Sequence, residues 1–423
     1  MLDRIVQRVT EFYLGSRDFN GYPVHTLISE FALNEAEVAK VLRDLIEAER
    51  IEVVFGNVHP NAHIKAFSGT SKEQQLEWLD SLDLSGHFCL YPTAQTINVY
   101  GDLPDFTGSP YTAQLAMGAG QLDYRVFDLS VLEYYRNDPR YFYQTDFING
   151  QISIEDEFFK SESVPEHDQV LLQTFGFAYD DDLNRAVAVF LRYLTDLSPE
   201  HQTIWQAKEL HGDYNLHPDY YRSSILGDWG TKVSIFDAFR QELEIVNNMS
   251  EIMGKPTLFR SSFQDDAPRG FGFLLRPTLG EFNDFVLLLD QMMSDNLNKK
   301  FFPPEVELSE DVPREDGKVE VRRKGTISLL DEWLKRMFRP QDPTALDNTL
   351  DTFRKVRKLR QKPAHSPQED KFDQKYFHEQ RKLIMDAYDA VRTVRLVFAN
   401  HPAVKRNPPK ISEHIFKGEV WTY

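Results

Sequence analysis

The sequence predicts a mainly α, multidomain protein of the α+β kind. Three observations carry that expectation. Apolar residues recur at helical spacing through the first fifty residues and again from about residue 282 to residue 400. Between these stretches, runs of β-branched and aromatic residues alternate with turn signals and further helical periods. The chain has 423 residues, enough for two to four domains, and 41% of them are hydrophobic, enough to fill ordinary cores.

Residues 1–68 read as one unit. A helix is expected from Asp3 to Leu14, with Ile5, Val9 and Phe12 on one face, and a second from Pro23 to Glu30. Asn34 is a capping residue ahead of a third, in which Val38, Val41, Leu42, Leu45 and Ile46 keep the helical period. Ile51 to Phe55 then reads as a strand, with a turn at Gly56 and Asn57 and a return through Val58 and Ile64. Three helices and a hairpin resemble a winged helix-turn-helix. In such a fold the third helix would enter the major groove, but here Glu35, Glu37, Asp44, Glu47 and Glu49 outnumber Lys40, Arg43 and Arg50. A helix that repels phosphate reads DNA poorly, so a protein-contact or dimerisation role is expected and DNA reading is the alternative.

Residues 69–160 form an aromatic-rich α+β region. A short helix is expected from Ser71 to Leu82, strands at Cys89–Tyr91 and Thr96–Tyr100, a helix from Phe127 to Tyr135, and a hairpin from Tyr141 to Ile154 turning at Asn149 and Gly150. The aromatics of this stretch, among them Tyr124, Tyr134, Tyr135, Tyr141 and Tyr143, are interleaved with Arg125, Arg136 and Arg140. They either pack as core, the commoner fate of aromatics at this spacing, or present a stacking surface to single-stranded nucleic acid.

Residues 161–270 read as a helical region, with amphipathic helices at Val170–Phe177 and Leu183–Leu194 and a helix start at Ser198, Pro199 and Glu200. A long helix from Val233 to Met253 would bury Phe236, Phe239, Leu243, Val246 and Met249. His201, His211, Asp213 and His217 match no tight metal-ligand spacing, so capping and loop hydrogen bonds are expected of them and no metal.

Residues 271–402 predict an antiparallel helical bundle, and 403–423 a C-terminal tail. Its helices are expected at Phe282–Phe302, Ser328–Phe338, Thr344–Arg360 and Gln374–Asn400, with an exposed charged hairpin around Asp316 and Gly317. The whole chain carries a formal charge of -18, which argues against a protein built for indiscriminate nucleic-acid binding. Locally the balance reverses. From Phe353 to Lys410 there are 15 Lys and Arg against 6 Asp and Glu, a place where a polyanion could be received while the rest of the chain repels it. A solvated basic helix face is the alternative.

Within that basic stretch, Arg360 is followed after four residues by His365, at the turn between two expected helices. A permanently charged guanidinium and an imidazole that titrates near neutral pH are a minimal kit for cleaving an RNA phosphodiester without a metal. The run from Leu359 to His365, LRQKPAH, is similar to the R-x4-6-H motif of HEPN domains, and the last third of the chain resembles that helical-bundle family. The resemblance implies an endoribonuclease in which the 2'-hydroxyl attacks the adjacent phosphate, His365 transfers the proton and Arg360 holds the developing charge. Arg357, Lys358, Gln361 and Lys362 would bind substrate. It also implies a homodimer through the bundle, with two motifs sharing one cleft, in a regulated effector of the toxin or antiphage kind. In active members the residue after the arginine is often Asn, Asp or His, and here it is Gln361. The residues also admit a non-catalytic binding scaffold, in which Arg360 pairs with Asp370 or Asp373 and His365 caps the turn.

Cys89 is the only cysteine, so one chain holds no disulfide and no cysteine-based zinc site, and a buried structural thiol is expected. The first residues, MLDRIVQRVTEFYLG, have helical periodicity and charge where a secretory signal would be apolar, and no run is long and apolar enough to span a bilayer, so the protein is expected in the cytoplasm, without a membrane partner or a cofactor.

Overall fold

The computed structural model describes every residue except 17, 56–58, 68–69, 82–85, 229, 231, 314–317 and 362–368. It divides into two units, Met1–Gly230 and Thr231–Tyr423, the boundary falling inside the region 161–270. The protein is multidomain and α+β, and the part of the first unit from Tyr124 onward is organised on a sheet where helices were largely expected after residue 160.

The first unit opens with α1 (Leu2–Gly15), β1 (Tyr22–Pro23), α2 (Val24–Phe31) and α3 (Glu35–Glu47). α3 starts where the capping residue requires: Asn34 Oδ1 accepts from Glu37 N–H at 3.0 Å and Glu37 Oε2 accepts from Asn34 N–H at 2.9 Å. Ile5, Val6, Val9, Leu27, Val38, Leu42 and Leu45 form its core, while Phe12 packs at the edge. The next elements are β2 (Ile51–Val54), α4 (Lys72–Ser81), β3 (Cys89–Pro92), α5 (Ala94–Tyr100) and α6 (Pro110–Ala116). Two sequence expectations change here. The partner of β2 is β3, beyond an intervening helix, and Ile64 lies in no strand. β3 sits between β1 and β2 and is buried at all four positions, so it is the strand that can satisfy both neighbours. The Gly56–Asn57 turn and Val58 lie outside the described residues. Thr96–Tyr100 is the helix α5, not a strand, because Thr93 Oγ1 accepts from Thr96 N–H at 3.2 Å and caps it. Cys89 is buried, and desolvation pushes its thiol up to about 12.

The rest of this unit is built on an antiparallel sheet. Its elements are β4 (Tyr124–Phe127), α7 (Glu133–Arg136), β5 (Tyr141–Thr145), β6 (Asn149–Ile154), β7 (Leu171–Tyr179), β8 (Arg185–Phe190), α8 (Leu191–Leu194), α9 (Pro199–Gln206), β9 (Glu209–Leu210), β10 (Asn215–Leu216) and α10 (Pro218–Tyr221). The strand order is β5-β6-β7-β8-β4-β9, with β10 paired to β7. Leu171–Phe177 and Arg185–Phe190 are therefore strand where helices were expected, and of the second expected helix only Leu191–Leu194 is helical, as α8. Phe175 to Tyr179 and Ala186 to Phe190 are buried on both faces, and an unbroken apolar run carries no period to separate a buried strand from a buried helix. Gly176 marks the close packing: a Cβ there would stand 2.1 Å from Cδ1 of Tyr220. The hairpin of β5 and β6 forms as expected but turns at Asp146–Ile148, since Thr145 pairs with Gly150. Phe127 ends β4, and the helix expected to start there begins only at Leu129.

The second unit comprises β11 (Val233–Ser234), α11 (Ile235–Ile252), α12 (Leu279–Met292), β12 (Ser309–Pro313), β13 (Val319–Arg323), α13 (Thr326–Met337), α14 (Thr344–Gln361), α15 (Lys375–Ala399), α16 (Pro402–Arg406), α17 (Glu413–Lys417) and β14 (Val420–Trp421). The expected helices are present, but the one begun at Phe282 ends at Met292, before Phe302, and α11 joins the bundle by packing along α15. Ser234 and Thr278 cap α11 and α12, accepting from Asp237 and Glu281 N–H. Arg395 of α15 and Glu242 of α11 form a buried ion pair at 2.6 Å. The tail is part of the unit, since β14 pairs in parallel with β11 through Val420 and Trp421. β12 and β13 form the exposed hairpin, whose Asp316 and Gly317 lie outside the described residues. Among the described residues no helix is long and apolar enough to cross a membrane.

Candidate functional site

The last two turns of α14 carry the basic motif. Phe353 and Val356 turn inward and are fully buried, which sets Arg357 and Arg360, one turn apart, on the flank facing the end of α12. There they meet two carboxylates. Arg357 donates from Nε to Asp290 Oδ1 at 3.1 Å and from Nη2 to Asp295 Oδ1 at 2.6 Å. Arg360 donates from Nη1 alone, to Asp290 Oδ2 at 2.7 Å and to Asp295 Oδ2 at 2.5 Å. Each aspartate thus bridges both arginines with both of its oxygens. The side chain of Asp290 has no exposure, that of Asp295 is 42% exposed, and that of Arg360 is 32% exposed, so the quartet runs from the interior to solvent.

The electrostatics follow the geometry. Hydrogen bonds to Asp290 and then to Asp295 raise the Arg360 pKa above its ordinary value. Burial pushes the Asp295 carboxyl up, but the hydrogen bonds from Arg360 and Arg357 outweigh it and hold the group below the usual aspartate range. The four groups sum to zero charge. Arg360 nevertheless keeps its Nε and Nη2 edge without a hydrogen-bond partner among the described residues. That edge is the one with which a guanidinium grips two phosphate oxygens.

The other sequence-derived positions divide into two groups. Lys358 and Gln361 are exposed beside Arg360. Lys362, Pro363 and His365 lie outside the described residues. Arg360 does not pair with Asp370 or Asp373, as the scaffold reading expected: Asp370 accepts from Gly280 N–H at 2.7 Å and Asp373 pairs with Lys375 at 2.9 Å. Both aspartates are committed at the entrances of α12 and α15, away from the end of α14. Sequence reasoning missed Asp290 and Asp295. The signal available was Asp290 itself, a charged residue following Phe282, Phe285, Val286 and Leu289 on the buried stripe of an apolar helix, a position that calls for a counter-charge.

His201, His217 and most of these aromatics have structural partners in the first unit. Tyr135 and His201 are buried side by side, the Tyr135 hydroxyl 2.7 Å from His201 Nδ1, and Asp168 lies 3.1 Å from Nε2. Burial lowers the His201 pKa against the opposing pull of Asp168. His217 Nδ1 accepts from Asp219 N–H at 3.2 Å and starts α10. Among the described residues no group of three His, Cys, Asp or Glu could hold a metal ion. Phe127, Tyr135, Tyr141 and Phe147 are core, and of the aromatics proposed for stacking only Tyr134 is substantially exposed. No protein-family model, curated protein or solved structure matches the chain.

Proposed function

We propose that the second unit is a HEPN-type endoribonuclease and that Arg360 is its phosphate-binding residue. The observation that supports this reading is the division of labour within one side chain: Nη1 is anchored by two carboxylates, while the Nε and Nη2 edge has no partner among the described residues. An arginine fixed in this way needs little reorganisation to receive a phosphate. In the reaction, the 2'-hydroxyl oxygen attacks phosphorus as its proton passes to His365, the P–O5' bond breaks, the leaving oxygen takes a proton, and a 2',3'-cyclic phosphate remains. Arg360 bears the charge that builds on the non-bridging oxygens. Lys358, Gln361, Lys362 and Arg357 draw in and orient the backbone. A single imidazole cannot serve as base and acid in the same step, so the active form is a homodimer with two motifs in one cleft. The three-helix module at the start of the chain, with its three-stranded sheet, is read as a winged-helix-like protein-contact element of a regulated cytoplasmic effector of the toxin or antiphage kind.

A second reading has its own support. Four charges in a closed square also make a structural clamp that closes α14 onto α12, in a bundle that binds without cutting. Cleavage of total RNA and tRNA in EDTA separates the two. Cleavage lost in both Arg360→Ala and His365→Ala, with folding and oligomeric state unchanged, supports the nuclease. Wild-type protein that binds RNA but does not cleave it supports the scaffold, and unchanged cleavage by both variants removes the site assignment.

A further inference from the structure

We propose that the module around β2 binds an uncharged nucleoside in a two-lobed groove. This site is separate from the arginine cluster, and the proposal does not rest on the ribonuclease reading. One lobe, of about 220 Å³, is walled by Phe55, Phe67 and Trp78, all half-buried, with Phe55 and Trp78 edge to face at 5.6 Å. The other, of about 360 Å³, sets the polar groups of Glu49, Lys72, Thr93 and Gln95 beside the apolar side chains of Ile46, Ile51 and Ala94. Glu52, Thr70 and Gln75 line both lobes, so the two adjoin.

Three features select the ligand. The first is Gln75, only 3% exposed, whose Oε1 accepts from Val53 N–H at 3.0 Å while its Nε2 has no hydrogen-bond partner among the described residues. That nitrogen faces the groove, where an acceptor on a bound molecule can take the place of water. The second is charge balance. Lys65 is held by Glu52 at 2.5 Å and by the Gly118 carbonyl at 2.9 Å, and Lys72 pairs with Glu49 at 2.8 Å. Each of these cations has its own carboxylate, so a phosphate would find no surplus positive charge and would meet two acids. The third is the division between the lobes. Aromatic faces suit a planar ring, and carboxylate, hydroxyl and amide groups suit the hydroxyls of a sugar. A planar ring joined to an uncharged polyol is a nucleoside. A free base would leave the second lobe empty, and a nucleotide would place a dianion beside Glu49 and Glu52.

The test is calorimetric titration of the full chain with adenosine, guanosine, cytidine and uridine, each beside its 5'-monophosphate. We expect saturable binding of at least one nucleoside below millimolar concentration, weaker binding of its monophosphate, and a loss of affinity of about tenfold or more in Trp78→Leu. Gln75→Glu keeps an acceptor for Val53 N–H and removes the amide donor, so it should also weaken binding while circular dichroism reports an intact fold. Absence of saturable binding by all four nucleosides, tighter binding of a monophosphate, or unchanged affinity in Trp78→Leu would overturn the proposal.

Discussion

Nη1 of Arg360 lies 2.7 Å from Oδ2 of Asp290, a carboxylate with no exposed surface on α12. A buried carboxylate is unfavourable alone and stable only with its counter-charges in place. Asp290 therefore depends on Arg357 and Arg360 as much as they depend on it. The end of α14, whose Phe353 and Val356 are buried, is tied to the end of α12 by charge as well, and the basic motif is presented from a fixed base.

The two aspartates should differ in their effect on stability. Asp290→Asn leaves two arginines facing a neutral buried group and is expected to cost about 3 kcal/mol, the low end for breaking a buried pair because the arginines are partly exposed. Asp295→Asn removes a carboxylate that solvent already screens and should cost about 1 kcal/mol or less. Urea unfolding measures both, and a larger loss in Asp295→Asn would show that the buried carboxylate is not the anchor.

Asp295 should also give the second unit an acid-sensitive component. Its folded pKa is depressed, so its contribution is full above the ordinary aspartate value near 4 and is lost as pH falls through the lower folded value. The urea midpoint of wild type should fall below about pH 4 more steeply than that of Asp295→Asn. Parallel curves would mean that the carboxyl is not depressed.

His217 should act at higher pH in the first unit. Burial lowers its pKa to about 4, against the pull of Asp219 and with a further push from Arg185. The folded chain keeps this ring neutral while the unfolded chain protonates it below about pH 6.5, so stability is full above 6.5, declines as pH falls towards 4 and is level below. The total is roughly 3 kcal/mol at most. His217→Asn retains a capping acceptor for Asp219 N–H and should flatten that decline between pH 6.5 and 4 when unfolding is followed across the range.

Gly176→Ala should destabilise the sheet although alanine is apolar and small. The added methyl would overlap the ring of Tyr220, which is fully buried and cannot swing into solvent. A loss of about 1–3 kcal/mol is expected from such overpacking. The double change Gly176→Ala with Tyr220→Leu should recover part of it, and no recovery would mean that backbone conformation, not the ring, is what glycine serves.

Much of the helical part was legible residue by residue. Asn34 before α3, Ser198 with Pro199 before α9, and the stripe Phe236, Phe239, Leu243, Val246 and Met249 of α11 all act through neighbours within a few turns, so a local pattern reveals them. β7 and β8 were not legible, because Phe175 to Tyr179 and Ala186 to Phe190 are covered on both faces. The partner of β2 was missed for a different reason: β3 lies beyond an intervening helix, and strand pairing over such a separation leaves no local mark.

The same division runs through the candidate site. By itself the sequence determined that Arg357, Lys358, Arg360 and Gln361 lie near the end of one helix in the most basic stretch of the chain, because helical period and charge are properties of neighbouring residues. Only the tertiary structure decided that Arg360 meets Asp290 and Asp295, some seventy positions earlier, and which edge of its guanidinium has no hydrogen-bond partner among the described residues. The physical reason is that an ion pair is set by distance and burial in space. Charges far apart along the chain become partners only when packed helices bring them within a few ångströms of each other and away from water.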